Sequence, residues 1–518
     1  MFGFDTREIL GRPKSIALLI GASTFTFYVT MLASPKFLSG YDSGVYLGAS
    51  IHFVSGLMPY KDFTFVQPPG IVLLLSPISV LSRMVGTHDA FEYGRVLSCA
   101  ISASNALLLA YVVRSRGRLA MVIAGYGLAF MPAMVYEADS VKLETFLTFF
   151  TLLGLLVVSR EGARGSLSNR ELLLAGVFIG LAGVVKLWAV VPATAVVVCL
   201  LPAYRGRIAI FLGATAATFT ACCLPFFVAD PHGFISQVIT DQIGRPSTSG
   251  LTLSTLGRLG YVTGLKFISK AVTYHEIEVF VLEVVLIAAI GFYIRAEKVT
   301  TDWILAVSSI LGILLLLIAP ETFIYYACFT APFLAGVAGV VAGTLYESGR
   351  DFLRRTRWWN PRRSWPTILI SSLCVLTFAA MSLQWISTYR TTSYVLDVPV
   401  GQITRLVPPG VCAVFDTIFY ALESNRFSGS SQNCPVVVDP TGMSFTFPSN
   451  KVGPNMDYVR LWRHIFARSS VVVLESPTTR NVPWNDELTK WFRNNFALTY
   501  GKDFVYIYTK IPARRDHH

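Results

Sequence analysis

Residues 137–160 read EADSVKLETFLTFFTLLGLLVVSR. Acids crowd one end, an uncharged run follows from Thr145 to Ser159, and Arg160 closes it. About 17–25 apolar residues in a row match the hydrocarbon thickness of a bilayer. In lipid only a helix or a closed barrel satisfies its own backbone. An acidic end and a basic end also give such a helix a direction, because lysine and arginine gather in cytoplasmic loops.

Outward from this stretch the pattern recurs. Apolar runs at about 15–34, 93–113, 119–136, 171–186, 187–203, 206–228, 273–294, 302–319, 322–345 and 366–386 join 141–159 to give about eleven spans. The short pair across 171–203 reads equally as one long helix with a break. The first run is long enough to be a retained helix. Composition agrees: the 518 residues are 53% hydrophobic and 14% charged, against about 25% charged in soluble domains. The fold class expected is mainly α, a polytopic membrane helix bundle. The net charge of +12 does not mark a nucleic-acid binder, since the basic residues sit in short loops rather than on one patch.

Those loops set an expected topology. Arg114, Arg116 and Arg118 form one basic turn; Arg160, Arg164 and Arg170 a second; Arg205 and Arg207 a third; Arg295 and Lys298 a fourth; and a run from Arg350 through Arg354, Arg355, Arg357, Arg362 and Arg363 the fifth. All fall on one side if 35–92 is a single outer loop, and that side is cytoplasmic. The N-terminus, with Arg7, Arg12 and Lys14, then also faces the cytoplasm of a multi-pass membrane protein. The opposite loops hold Asp42, Glu137, Asp139, Asp230, Asp241 and Glu321. Two domains are expected: 1–390, a transmembrane domain with the outer loop 35–92, and 391–518, a small extracytoplasmic α/β domain. Gly70–Val85 reads as a juxtamembrane or re-entrant helix or, alternatively, a span, and Val45–Leu57 as an amphipathic interfacial helix. Beyond 390, Val411–Phe415, Val436–Val438, Val471–Leu474 and Phe504–Tyr508 read as strands, alternating with helices at Met456–Ala467 and Asn485–Asn495. Cys412 and Cys434 can pair if this region lies outside the cytoplasm. The other cysteines fall in apolar runs as small core residues.

Few residues can carry chemistry. Asp42, in YDSGVY, can serve as a general base or hold a metal, or simply cap the helix that follows. Lys61 and Asp62, in PYKDFTFVQPPG, can bind a ligand or form a solvated pair on a rigid turn. Glu144 sits inside an apolar helix, where a carboxylate is costly; pairing with Lys142 or a dipole effect also accounts for it. Asp139 stands just before it. Lys186, in GLAGVVKLW, suits a phosphate or snorkels to the interface. Arg245, in DQIGRP, suits bidentate phosphate binding or a solvated loop. Tyr325 and Tyr326 suit a ligand wall or an aromatic belt. No Walker loop, GxGxxG, HExxH or GxSxG occurs. No cofactor is demanded, and a divalent cation remains possible.

Taken in order, Asp42, the Pro59–Gly70 motif, the acid-rich segment ending in Glu144 and the GLAGVVK segment ending in Lys186 resemble the GT-C glycosyltransferases. The similarity is to the branch of protein O-mannosyltransferases and lipid A aminoarabinose transferases, over about residues 15–345. The resemblance implies a catalytic or acceptor-binding acid at Asp42, a second acid at Glu144 and a donor-phosphate lysine at Lys186. Two positions depart from the family pattern: Ser43 stands where many relatives have an acid, and Gln67 where many have lysine before the Pro-Pro.

The expected function is transfer of a sugar from a polyprenyl-phosphate donor to a glycan, lipid or protein acceptor at the outer face. Asp42 would take the acceptor proton, and Lys186 and Arg245 would meet the leaving phosphate, with inversion. Mannosyl, arabinosyl and other sugars all remain open. A sugar-lipid transporter or flippase would place charges at the midplane and show inverted repeats, neither of which the sequence displays. A non-catalytic envelope scaffold would have no use for Asp42 or Lys186.

Overall fold

The uncharged runs fold as helices wherever the computed structural model describes them. The described residues are 12–32, 40–161, 165–245, 255–263, 300–321, 323–355, 399–427, 434–447, 454–502 and 504–512. The expected spans 273–294 and 366–386 lie outside them, as do Arg7, Arg164, Arg295, Lys298, Arg357, Arg362 and Arg363. The other expected spans fall on helices Pro13–Leu32, Thr87–Val112, Gly117–Ala129, Leu143–Val158, Asn169–Val185, Val190–Tyr204, Ile208–Ala229, Thr300–Ile318 and Ala327–Arg355. Among the described residues six helical stretches are long and apolar enough to cross a membrane, Thr87–Ala129 counting as one of them. Two of the eleven expected spans lie outside the described residues and two fall in Thr87–Ala129, so the count of eleven is not reached here; Leu143–Val158 and Gly70–Val85 are shorter apolar helices.

Contacts divide the chain into two compact units. The first is Met1–Pro35, Val96–Ala221 and Ser247–Tyr394; the second is Lys36–Arg95, Cys222–Pro246 and Val395–His518. Residues before 390 thus share a unit with the C-terminal segment.

In the first unit, Leu143–Val158 packs on Asn169–Val185, and Ala327–Arg355 packs on both Gly117–Ala129 and Thr300–Ile318. Small residues bring the backbones together, as membrane helices require in the absence of a hydrophobic drive between them. A Cβ on Gly180 would lie 2.7 Å from the Thr215 carbonyl oxygen, and one on Gly339 2.6 Å from that of Ala120. Gly176 and Gly343, each four residues away on the same face, are equally crowded. The pair across 171–203 is a hairpin of two helices: the Leu167 N–H donates to Tyr204 Oη at 2.8 Å, so the start of one helix meets the end of the other.

The basic turns of this unit do meet. Arg114 Nη1 donates to Ser159 Oγ at 3.0 Å, and Arg207 Nη1 to Leu167 O at 2.9 Å. Arg116 Nε donates to Asp302 Oδ2 at 2.8 Å, a buried pair at the start of Thr300–Ile318.

In the second unit a four-stranded sheet has the order β1-β2-β4-β3, with β1 Ala413–Phe415, β2 Val471–Leu474, β3 Phe496–Lys502 and β4 Val505–Lys510. β1 and β2 are parallel, with Ala413 opposite Val471; the other pairs are antiparallel. Helices Met456–Arg468 and Asp486–Asn495 add Trp462, Phe466 and Phe492 to a core that includes Val472 and Leu474.

Three sequence readings need correction here. Val436–Val438 is not a strand; Val437 and Val438 are buried, and Val437 joins the core. β3 was not anticipated, because it is the sheet's edge: only Phe496 of its seven residues is buried, so no apolar alternation marks it. The helix expected at Val45–Leu57 instead runs Gly40–Val54, and it is not amphipathic: it is buried without a break from Ser43 to His52. Its glycines explain this. Gly40 and Gly44 lie against Phe419, and Gly48 lies against Ile418 of the Ile418–Glu423 helix. Elsewhere on the helix, Ser50 Oγ donates to Val72 O of Gly70–Val85 at 2.8 Å. A disulfide joins Cys412 and Cys434.

Candidate functional site

The chemistry-bearing residues fall into two groups, one in each unit. In the second unit Asp42 occupies the first turn of Gly40–Val54 and is half-buried. Tyr41 beside it donates from Oη to Asp439 Oδ1 at 3.1 Å and accepts from the Thr441 N–H at 2.8 Å. Asp439 caps the short helix Pro440–Thr446, taking the Gly442 N–H on Oδ1 at 2.8 Å. Burial pushes the Asp439 carboxyl up to about 6; the Gly442 N–H and the Tyr41 hydroxyl pull it down, the Asp42 carboxylate raises it and Arg245 lowers it. Asp42 and Arg245 thus each act on Asp439, with opposite sign.

The same short helix holds the segment that carries Arg245. The Arg245 guanidinium lies 4.6 Å from the centre of the Phe445 ring. Thr446 Oγ1 donates to Asp241 Oδ2 at 2.8 Å. The Pro59–Gly70 motif is built as a rigid turn: Tyr60 has a φ of 71°, its Oη donates to Gln67 O at 2.6 Å, and Gln237 bonds both Tyr60 O and the Phe65 N–H. Lys61, expected to bind ligand, is exposed on this turn, and Asp62 caps it by accepting the Met58 N–H at 2.7 Å.

In the first unit Glu144 is buried in the first turn of Leu143–Val158. Lys186 ends Asn169–Val185 in an extended conformation, φ −155° and ψ 135°. Its Nζ lies 2.5 Å from Glu144 Oε1 and 3.4 Å from the centre of the Trp188 ring. Tyr326 stands farther off, at 5.4 Å. The counter-charge of Lys186 is thus Glu144, and the lysine does not snorkel. Lys142, considered as the partner of Glu144, instead lies over Tyr325 at 4.3 Å. Buried Glu137 is within electrostatic range of Glu144, Lys142 and Lys186. Asp139 is buried at the end of the Pro132–Ala138 helix.

The structure brings Glu144 and Lys186 together in one unit, with Tyr325 in contact with neighbouring Lys142, and in the other sets Asp42 and Arg245 each within electrostatic range of Asp439. Asp439, Tyr41 and Trp188 were missed by the reading of the sequence. DPTG at 439–442 carries a helix-start signal, but nothing in it points to Asp42. Among the described residues no group of three or more His, Cys, Asp or Glu side chains is arranged to hold a metal ion.

The chain matches known proteins in two ways. The model of glycosyltransferase family 87 matches residues 65–320. ArnT from Cupriavidus metallidurans bound to undecaprenyl phosphate superposes with a TM-score of 0.60 at 14% identity, covering 96% of this chain and 98% of that one. The oligosaccharyltransferase of Archaeoglobus fulgidus in the apo form gives 0.56 at 11% identity, over 96% of this chain and 75% of that one. AglB from Archaeoglobus fulgidus, in complex with an inhibitory peptide and a dolichol-phosphate, gives 0.52 at 11% identity, over 96% and 74%. No curated protein is significantly similar in sequence. The resemblance to GT-C integral membrane glycosyltransferases holds, and the fold is theirs.

Proposed function

We propose that the chain is a glycosyltransferase that takes a sugar from a polyprenyl-phosphate carrier and passes it to a glycan, lipid or protein hydroxyl at the non-cytoplasmic face of the membrane. The observation that carries this reading is an acid, Asp42, and a cation, Arg245, each within electrostatic range of one buried acid, Asp439, in a GT-C fold. The Cys412–Cys434 disulfide supports an oxidising compartment for the C-terminal region. The neighbours with bound undecaprenyl phosphate and dolichol-phosphate support a lipid-phosphate donor.

In this reading the acceptor oxygen attacks the anomeric carbon as its proton passes to Asp42. The bond from that carbon to the phosphate oxygen breaks, and the lipid phosphate leaves as an anion toward Arg245, which suits bidentate phosphate contact. One displacement inverts the anomeric centre. The charge developing on the leaving oxygens is where a fixed guanidinium lowers the barrier. Glu144, Lys186, Tyr325 and Asp139 in the first unit, and Lys61 in the second, are proposed as ligand-binding residues of their own units.

The test uses purified protein in nanodiscs, a panel of radiolabelled polyprenyl-phosphate sugars and a crude envelope-glycan acceptor, comparing wild type with Asp42→Asn. Transfer by wild type and none by the variant is the expected result. Movement of sugar lipid between leaflets with no transfer would instead make the protein a flippase.

A further inference from the structure

Asp439 lies 398 positions from Tyr41 in sequence, yet the two share a hydrogen bond. We infer that Asp439 is a positioning residue for the reaction at Asp42, holding the first turn of the Gly40–Val54 helix through the Tyr41 hydroxyl and setting a second carboxylate beside it. The inference rests on the reading of Asp42 as the base.

Three observations support it. Tyr41 is held from two sides, donating to Asp439 and accepting from the Thr441 N–H. A side chain fixed twice fixes its backbone, and Asp42 is the next residue. Asp439 is itself held by the Gly442 N–H, and Pro440 after it restricts the Asp439 backbone. The same seven-residue helix touches Arg245 through Phe445 and Asp241 through Thr446. One short helix therefore braces both the acid and the cation of the proposed reaction.

The charge has a consequence of its own. The groups facing Asp439 are Tyr41 and Asp42 from Gly40–Val54, Arg245 from the segment after Asp241, and Tyr458 from Met456–Arg468. With Asp439 titrating at about 6, it is charged at neutral pH. An ionised neighbour strengthens the pull of the Asp42 carboxylate on a proton, and protonation of Asp439 weakens it. Turnover should therefore climb as pH rises through about 6.

The experiment measures kcat and KM from pH 5 to 8.5 in nanodiscs, using whichever radiolabelled polyprenyl-phosphate sugar wild type turns over. Asp439→Asn is expected to lose the rise near pH 6 and to run about tenfold slower at pH 8 with KM little changed. Asp439→Glu should restore the rise, and Tyr41→Phe should lower kcat several-fold while keeping it. An inactive Asp42→Asn beside an Asp439→Asn that folds and follows wild type at every pH would overturn the inference alone. If Asp439→Asn does not fold, a Tyr41→Phe with unchanged kcat does the same. Full activity in Asp42→Asn, or no donor turned over by wild type, would overturn the reading of Asp42, and this inference with it.

Discussion

The two charged groups are balanced differently: in the first unit Glu137 and Glu144 stand with two lysines, in the second Asp439 and Asp42 with one arginine. In the first unit a lysine and a glutamate neutralise each other, 2.5 Å apart, with Trp188 against the ammonium. In the second unit two carboxylates share a neighbourhood with one arginine, held by a tyrosine hydroxyl and a backbone N–H. A neutral buried pair is a settled arrangement: removing one partner strands the other. A like-charged pair is held in a state that takes up a proton readily. On the proposed reading of Asp42, proton transfer belongs to the second unit.

The comparison breaks first if Asp42 is dispensable. Asp42→Asn is expected to lower turnover about 10²–10⁴-fold, the usual worth of a general base, with its unfolding temperature unchanged. Single-turnover assays in nanodiscs measure it.

The opposite expectation holds for the first unit. Lys186→Met leaves Glu144 buried without its counter-charge and should destabilise the protein by about 3–5 kcal/mol. Lys186→Met combined with Glu144→Leu should recover much of that, as read by thermal unfolding in detergent. A double variant that is stable but has a raised KM for donor would show that Lys186 also meets phosphate.

A smaller loss is expected in the second unit from removing its cross-link. The Cys412–Cys434 bond spans 22 positions, and replacing both residues by serine should cost about 2–4 kcal/mol by loop entropy. Thermal unfolding followed by tryptophan fluorescence, with Trp462 in the core, reports it.

The gentlest test extends the like-charge theme to Asp416, which follows β1 and is pushed up to about 8 by burial first and by Glu475 second. The folded acid holds its proton from pH 4 to about 8 while the unfolded chain has already lost it. Stability is then fullest below pH 4 and declines as pH rises through that window. Asp416→Asn should flatten the slope. A slope that persists in the variant would assign it to another group.

The sequence made the bundle legible because lipid leaves the backbone few choices, and runs such as Phe146–Val158 announce themselves. Glu144 drew notice for a related reason, since a carboxylate inside an apolar run is costly, whereas Asp42 and Lys186 drew it by position and resemblance. What stayed hidden depends on closure across hundreds of residues. Nothing near Asp439 names Tyr41, and nothing near Glu144 chooses Lys186 over the nearer Lys142 as its partner. The burial of the Gly40–Val54 helix was hidden because Val45–Leu57 read as amphipathic, while its glycines mean little until Phe419 is set against them.

The hydrogen bond from Tyr41 to Asp439 has a bearing on how such a protein can be re-engineered. A C-terminal segment that merely recognised acceptors could be exchanged between relatives like the head of a tool. Here it supplies an acid to the neighbourhood of Asp42. If Asp439 positions Asp42 as proposed, a graft made at residue 390 would change the reaction's pH dependence unless the incoming segment brought a matching acid with it.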